Sequence, residues 1–255
     1  RGCRSPSLVK PLALRVNTRA FSPAVTDTLS PPNNALTPTA LPAPCVRISA
    51  PHQRVQGVEA TVGSRNESFF TGQVVLAAGA WLDQILEASG LEPVGLKPLR
   101  RHLFQTAPAS PPSDPATPFY WQESAGVYVR AESGGWLASP CDEMLRSPGD
   151  ESLDPRQEDL LLERIAGYIP ALDPFPIQRR WAGLRVMSPD RAAILGPDPR
   201  CDGLVWVGAL GGHGVTCAWP AAQRALALAS GSPPSNADTL RLPARLLERM
   251  AAAAL

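Results

Sequence analysis

The chain has 255 residues, 44% hydrophobic and 18% charged, with 29 prolines and 20 glycines. It is proline-rich, yet well short of a collagen-like or wholly low-complexity composition, and at this length a globular chain buries roughly 70–75% of its unfolded surface, enough for a real core. The 24 Lys and Arg against 23 Asp and Glu leave a net charge of +1, which argues against a nucleic-acid or polyanion binder; no run approaches the ~20 apolar residues of a membrane span.

Charge and proline are concentrated at the start. Residues 1–51 hold six basic residues against the single acid Asp27, with nine prolines and ten Ser or Thr. Such a stretch cannot bury enough apolar surface to offset its ordering entropy, so 1–45 is expected to be disordered. Its Arg- and Ser-rich, acid-poor character is shared with organelle transit peptides, but a convincing apolar helix face is missing. A fragment or a mis-started reading frame is the preferred explanation. The five cysteines (Cys3, Cys45, Cys141, Cys201 and Cys217) are odd in number and scattered, without CxxC or Cys/His pairing. That pattern points away from a disulfide framework or a zinc site and towards reduced thiols in a cytoplasmic protein.

Order is expected from Val46. Arg54–Val62 alternates as a strand, Gly63–Asn66 supplies a turn, and Ser68–Gly79 reads as a second strand ending in small residues. A short helix over Ala80–Ser89 places Trp81, Leu82, Ile85 and Leu86 on one face and stops at Gly90. Strands follow at Arg101–Thr106, Phe119–Gln122, Val127–Arg130 and Trp136–Ser139, the last two joined by a Gly134-Gly135 turn. Asp154-Pro155-Arg156-Gln157 reads as a helix start, with Leu160, Leu161, Ile165 and Ile169 as its buried stripe and Pro170 as its stop. Strands resume at Ile177–Val186, Ala192–Leu195 and Leu204–Val207. The glycine-rich loop Gly208–Gly214 then opens a helix over Thr216–Ser230, and Pro243–Leu255 carries a last helical stripe.

Three segments carry chemical signal. In Val74–Trp81 (VVLAAGAW) small residues at a strand end admit close approach of another backbone or a ligand; by itself this is as well explained by a tight strand-to-helix turn. In Trp181–Arg185 (WAGLR), Arg185 could offer a bidentate fork to a carboxylate, although most arginines are simply exposed. In Leu204–Thr216 (LVWVGALGGHGVT), strand, glycine loop and helix N-terminus succeed one another, a ready place for negative charge. The spacing is not that of a GxGxxG dinucleotide fingerprint, and no acidic residue follows at the ribose-binding distance. A nicotinamide-dependent dehydrogenase therefore ranks low.

Taken in order, VVLAAGAW, RRHLFQT, GVYVR followed by GGWLAS, WAGLR followed by SPDRAAILGP, and LVWVGALGGHGVT resemble the FAD-dependent amino-acid and amine oxidase family that includes D-amino-acid oxidase, glycine oxidase and sarcosine oxidase. The resemblance covers about Val46 to Ser230. It implies an α+β fold, with a partial FAD/NAD(P)-binding-like layer beside a mixed or antiparallel substrate-domain sheet and flanking helices. The implied parts are 46–90 and 183–232 for the FAD-binding portions, 91–182 for the substrate domain and 233–255 for a tail helix. It places Ala78, Gly79 and Trp81 near the FAD diphosphate and adenosine, Val55 over the adenine, and Gly211, Gly212, His213, Gly214, Val215 and Thr216 over the flavin ring. Arg185 matches the arginine that holds the substrate carboxylate, assisted by Tyr128. The implied reaction moves hydride from the carbon bearing the amine to flavin N5, with a small amine or amino acid as substrate and no side-chain general base named. FAD is implied to be non-covalent, since no cysteine lies between Arg185 and Asp190.

The chain departs from the family in having no strand–GxGxxG–helix upstream, so a complementing chain carrying that half is one expectation. A non-catalytic remnant or interaction module without flavin is the alternative of a different class.

Overall fold

The computed structural model describes residues 46–62 and 64–229. The segment 1–45, expected to be disordered, and the tail helix expected over 233–255 lie outside the described residues. The chain divides into two compact units, Arg1–Leu96 with Val186–Leu255, and Lys97–Arg185.

The first unit opens with an antiparallel meander of β1 (Val46–Ser49), β2 (Gly57–Val62) and β3 (Arg65–Phe70), in which Val46 faces Ala60 and Val58 faces Phe69. Alternation along β2 sends Val58 and Ala60 into the core. Gly57 has no substitute at its end, because a Cβ there would lie 2.5 Å from the Phe69 carbonyl oxygen. The single strand expected over Ser68–Gly79 is in fact two. Thr71 Oγ1 donates to the Gln73 carbonyl and accepts the Gln73 N–H, at 3.0 and 3.2 Å. This local side-chain turn takes the backbone out of one ladder. Beyond it the chain enters a different sheet as β4 (Val74–Leu76). A 3-10 turn at Gly79–Trp81 then leads into α1 (Leu82–Ala88), whose Leu82, Ile85 and Leu86 are buried. The Asp83 carboxylate fixes the next segment by accepting the N–H groups of Val94 and Leu96.

The second unit comprises β5 (Lys97–Thr106), β6 (Tyr120–Gln122), β7 (Val127–Glu132), β8 (Gly135–Ser139), β9 (Met144–Leu145), α2 (Arg156–Tyr168) and β10 (Ile177–Met187) as far as Arg185. The strand order is β10-β5-β8-β7-β6, with β9 also paired to β5. The β7–β8 turn sits one residue earlier than expected, at Ser133 and Gly134, whose φ values are 52° and 77°. A two-residue hairpin of this hand needs positive φ at both central positions, and Gly135 instead begins β8. At the start of α2 the Asp154 carboxylate accepts the Arg156 N–H, and its carbonyl accepts that of Gln157. Leu161 and Ile165, both 0% exposed, pack on Phe104, Val127, Val129 and Ala138, whereas Leu160 and Ile169 of the expected stripe are only half-buried.

The chain then returns to the first unit as β11 (Ile194–Pro197), β12 (Leu204–Gly208) and α3 (Gly214–Ala229). Strand β12 lies between antiparallel β11 and parallel β4. Helix α3 begins two residues before its expected start and packs on this sheet through Ala221 and Ala225, against Leu195 and Val205. Below the sheet Trp206, 1% exposed, donates its indole N–H to Asp198 Oδ2 at 3.0 Å, and Arg200 grips the same carboxylate. The architecture is the mixed helix-and-sheet class expected. Among the described residues, no helix is long and apolar enough to cross a membrane.

Two outcomes follow. Leu161→Ala is expected to destabilise the second unit by about 2–5 kcal/mol, read from denaturant unfolding of the purified chain. Burial alone would raise the Asp198 pKa, but its bonds to Arg200 and Trp206 outweigh burial and hold it below the ordinary carboxylate value. A depressed folded pKa contributes stability that is present at neutral pH and is lost as pH falls through about 4 and below. Asp198→Asn is therefore expected to be less stable at pH 7 and to show a flatter loss between about pH 4 and 2 by tryptophan fluorescence.

Candidate functional site

The six-stranded sheet has two chemically different faces, and strand register decides which residue goes to which. Directly paired residues point to the same side. Phe104, Ala138 and Val129 are paired across β5, β8 and β7 and lie in the cluster formed with α2. The alternate residues therefore point the other way: Arg101, Leu103 and Gln105 on β5, Leu137 and Ser139 on β8, Tyr128 and Arg130 on β7. Trp121, paired with Tyr128, joins them from β6 and is 58% exposed. Arg185 comes from β10, which neighbours β5.

The electrostatics draw Arg185, Arg101, Tyr128 and Cys141 into one neighbourhood. Burial raises the Tyr128 hydroxyl pKa, opposed chiefly by the nearby Arg185 charge, so the phenol stays protonated at neutral pH and can donate. Burial and then the repulsion of Arg101 lower that of the Arg185 guanidinium. Cys141, at φ 52°, is half-buried, and its thiol is pushed up by burial against the pull of Arg101, Arg185 and Arg164. Among the described residues Arg185 makes no hydrogen bond or ion pair, unlike Arg164, which donates to the Gly126 and Pro140 carbonyls. A half-buried guanidinium without a partner among the described residues, within electrostatic reach of a phenol O–H, is suited to a carboxylate, which it can take in two parallel bonds.

Arg101 was not singled out by the sequence, nor were Trp121, Cys141 or Glu143. The signal for Arg101 was the adjacency of Arg100 and Arg101 on a strand, since one of two neighbours must face each side. Arg100 faces the α2 side, where it donates to Ser152 and Asp154.

In the first unit, the loop from Gly208 to Gly214 runs through left-handed backbone at Ala209, Gly211 and Gly212, with φ values of 52°, 58° and 90°. The Gly211 N–H is held by the Val186 carbonyl, and that of His213 by Leu210. The N–H groups of Gly214, Val215 and Thr216, in the first turn of α3, have no main-chain partner among the described residues, as helix geometry requires. No acidic side chain stands in that turn. His213, Val215 and Thr216 are exposed, and Thr216 Oγ1 donates back to the His213 carbonyl. At the end of β4, Gly79 (φ 55°) faces open space, Ala78 is buried and Trp81 half-buried. The Val55 side chain is 2% exposed and packs in the core, its N–H bonded to the Asp202 carbonyl rather than placed on a strand. Among the described residues no group of three or more His, Cys, Asp or Glu could hold a metal.

A profile of the DAO family, described as "FAD dependent oxidoreductase", matches residues 41–228. The chain belongs to this family. A Bos taurus protein described as "FAD-dependent oxidoreductase domain-containing protein 1" is 29% identical over 171 residues, which are 60% of this chain and 34% of that one. L-proline dehydrogenase from P. horikoshii shares the fold with a TM-score of 0.67 at 22% identity, over 80% of this chain and 54% of that one. Glycine oxidase from Bacillus cereus matches with a TM-score of 0.60 at 21% identity, over 76% of this chain and 51% of that one. Iminodiacetate oxidase from Chelativorans sp. BNC1 gives 0.59 at 20% identity, over 75% and 50%. The chain thus spans about a third of the length of the curated relative and about half of that of these solved structures. The resemblance read from the motifs holds at the level of family and fold.

The family is FAD-dependent, and the residues present fit part of that group. Bare glycine backbone, an exposed helix N-terminus with unsatisfied N–H groups and no competing acid suit an electron-rich, anionic partner.

The Tyr128 assignment has a direct check. Tyr128 is expected to ionise above the ordinary value of about pH 10 in an ultraviolet pH titration, and Tyr128→Phe is expected to remove that late component.

Proposed function

We propose that this chain carries the substrate-holding sheet and a portion of the FAD-binding fold of an oxidoreductase that oxidises the C–N bond of an amino acid or secondary amine. The observation that carries the reading is the half-buried Arg185 guanidinium, without a hydrogen bond or ion pair among the described residues and within electrostatic reach of the protonated Tyr128 hydroxyl. The fold neighbours named as oxidase or dehydrogenase of proline, glycine and iminodiacetate act, by their names, on amino or imino acids, and support the same substrate class.

On this reading Arg185 takes the substrate carboxylate as a fork, and Tyr128 donates its O–H to the same group, fixing the orientation of the carbon that bears the amine. Gly212, Gly214, Val215 and Thr216 would offer backbone N–H groups and the α3 dipole to the negative charge that a bound flavin acquires at its pyrimidine end, with His213 in the same loop. Ala78, Gly79 and Trp81 would hold the diphosphate and adenosine portion, with Val55 supporting that wall from within the core. When bound, non-covalent FAD supplies hydride acceptance at N5. The protein's share is position and charge, and no side chain is assigned as a general base.

The test is the visible spectrum of the purified chain, desalted after incubation with excess FAD, followed by anaerobic mixing with small amino and imino acids. Retained yellow colour and bleaching by an amino acid are expected. Arg185→Lys keeps the charge but removes the fork, and is expected to raise KM by one to two orders of magnitude, the loss of about 1.5–3 kcal/mol of charged hydrogen bonding. Gly212→Ala strains a φ of 90° and is expected to weaken FAD retention while leaving the second unit's unfolding unchanged. A folded but colourless protein, indifferent to substitution at Arg185, would instead favour the non-catalytic reading.

A further inference from the structure

The two long helices differ in what they turn to water. Helix α2 buries Leu161 and Ile165 and carries Arg156, Asp159 and Glu163 at exposed positions. Helix α3 buries Ala221 and Ala225, but its outer surface has no such charges. From Gly214 to Ala229 its one charged residue is Arg224, which is half-buried, with Nε and Nη1 shielded and without a hydrogen-bond partner among the described residues. Val215, Trp219 and Leu226 are 95%, 74% and 70% exposed, and Ala218 and Ala222 are exposed between them. Val215, Trp219, Ala222 and Leu226 are spaced by four, three and four, which puts them along one side of a helix. A helix that is apolar on its outer as well as its inner side is one that another element covers. The sheet beneath is also left open: Val75 of β4 is paired with Val205, which lies under α3, yet is 39% exposed.

The chain itself supplies a cover of matching character. Residues 230–255 lie outside the described residues and follow α3 directly. Their sequence places Leu246, Leu247 and Met250 at helical spacing, with Arg245, Glu248 and Arg249 at the alternate positions and Ala251–Ala254 as strong helix formers. Helix α3, of 16 residues, is about 24 Å long. Residues 230–242 can reach up to about 43 Å when extended, enough for 243–255 to return along the whole of α3. Seated there by its apolar side, the segment brings to water the charges that α3 lacks.

Other occupants match less well. The Val215, Trp219 and Leu226 side chains present on the order of 450 Å², against ~800 Å² per partner for a standard interface between separate molecules. A segment of the same chain needs less area, because it does not lose the translational freedom of a free partner. A helix that lies on a lipid surface carries Lys and Arg along its polar side, whereas α3 has only the half-buried Arg224.

We propose that the segment Pro243–Leu255 docks on the apolar stripe of α3, with Leu246, Leu247 and Met250 against Trp219, Ala222 and Leu226.

The test is amide hydrogen exchange of the full chain, read by mass spectrometry on peptides covering 244–255. The reference is a synthetic peptide of residues 243–255 under the same conditions, since so short a helix is marginal alone. Exchange at least about ten-fold slower in the full chain is expected. Leu226→Asp, an exposed position, is expected to return the segment to the rate of the free peptide while leaving peptides from β5 and β12 unchanged. Met250→Asp is expected to do the same, and also to raise acrylamide quenching of the emission that Trp219→Phe removes. Exchange at the free-peptide rate in the unaltered chain overturns the proposal. Slowed exchange that neither Leu226→Asp nor Met250→Asp relieves overturns it too, because the segment is then held elsewhere. Protection that grows with protein concentration, alongside a dimer in sedimentation, overturns it in favour of a second copy. A Trp219 emission that shifts to the blue only with phosphatidylcholine vesicles overturns it in favour of a lipid surface. If Leu226→Asp does not fold, Met250→Asp decides alone, since unchanged protection and quenching overturn the docking.

Discussion

Helix α2 commits one side of the six-stranded sheet to hydrocarbon, and this commitment decides what the other side can hold. Leu161 and Ile165 need a flat apolar partner, which Phe104, Val127, Val129 and Ala138 supply. A strand cannot place consecutive residues on one side, so every apolar residue given to the helix releases a neighbour to the opposite face. Tyr128 lies between Val127 and Val129 for this reason, and Leu103 and Gln105 flank Phe104 in the same way. The site is built from the positions that the core does not use.

Polar anchoring refines what the alternation provides. The segment between β8 and β9 carries Cys141, Asp142 and Glu143 past β5 and is fixed on both sides of that strand. Cys141 adopts a left-handed backbone there, its N–H held by Ser139 Oγ at 3.1 Å. Buried polar networks of this kind hold a loop to one geometry only when their members are satisfied. His102 meets that condition, with both ring nitrogens engaged. The precision of Arg101 on one face is thus set by a histidine that never reaches that face.

Much of this was legible in the sequence, and the failures have particular causes. The strands expected over Val127–Arg130, Trp136–Ser139 and Leu204–Val207 fall within β7, β8 and β12, and the apolar spacing of α2 named Leu161 and Ile165. The glycine loop and helix in Leu204–Thr216 were read in the right order. Thr71 misled because Thr is a good strand residue; its hydroxyl instead closed a local turn and moved the chain between sheets. The hairpin turn was displaced because Gly-Gly is permissive at either position, while Ser133 tolerates the positive φ that the turn requires. Arg101 was missed because facing is a matter of register, and the register of β5 is set by β8 and β9, distant in sequence. The unpaired state of Arg185 lay equally beyond the motif, since it depends on where Glu143, Asp142 and Arg130 find their own partners.

A sheet divided in this way separates two kinds of inherited change. Along β5, β7 and β8, substitutions at even-numbered positions on one strand and odd-numbered positions on the next strike the packing against α2 and are filtered by whether the chain folds at all. Their immediate neighbours face away from α2, and changes there alter what is held without touching that packing. A lineage can therefore drift from one small acid to another by single steps along a strand, with each intermediate still folded, because the residues that choose the ligand are not those that keep the helix in place.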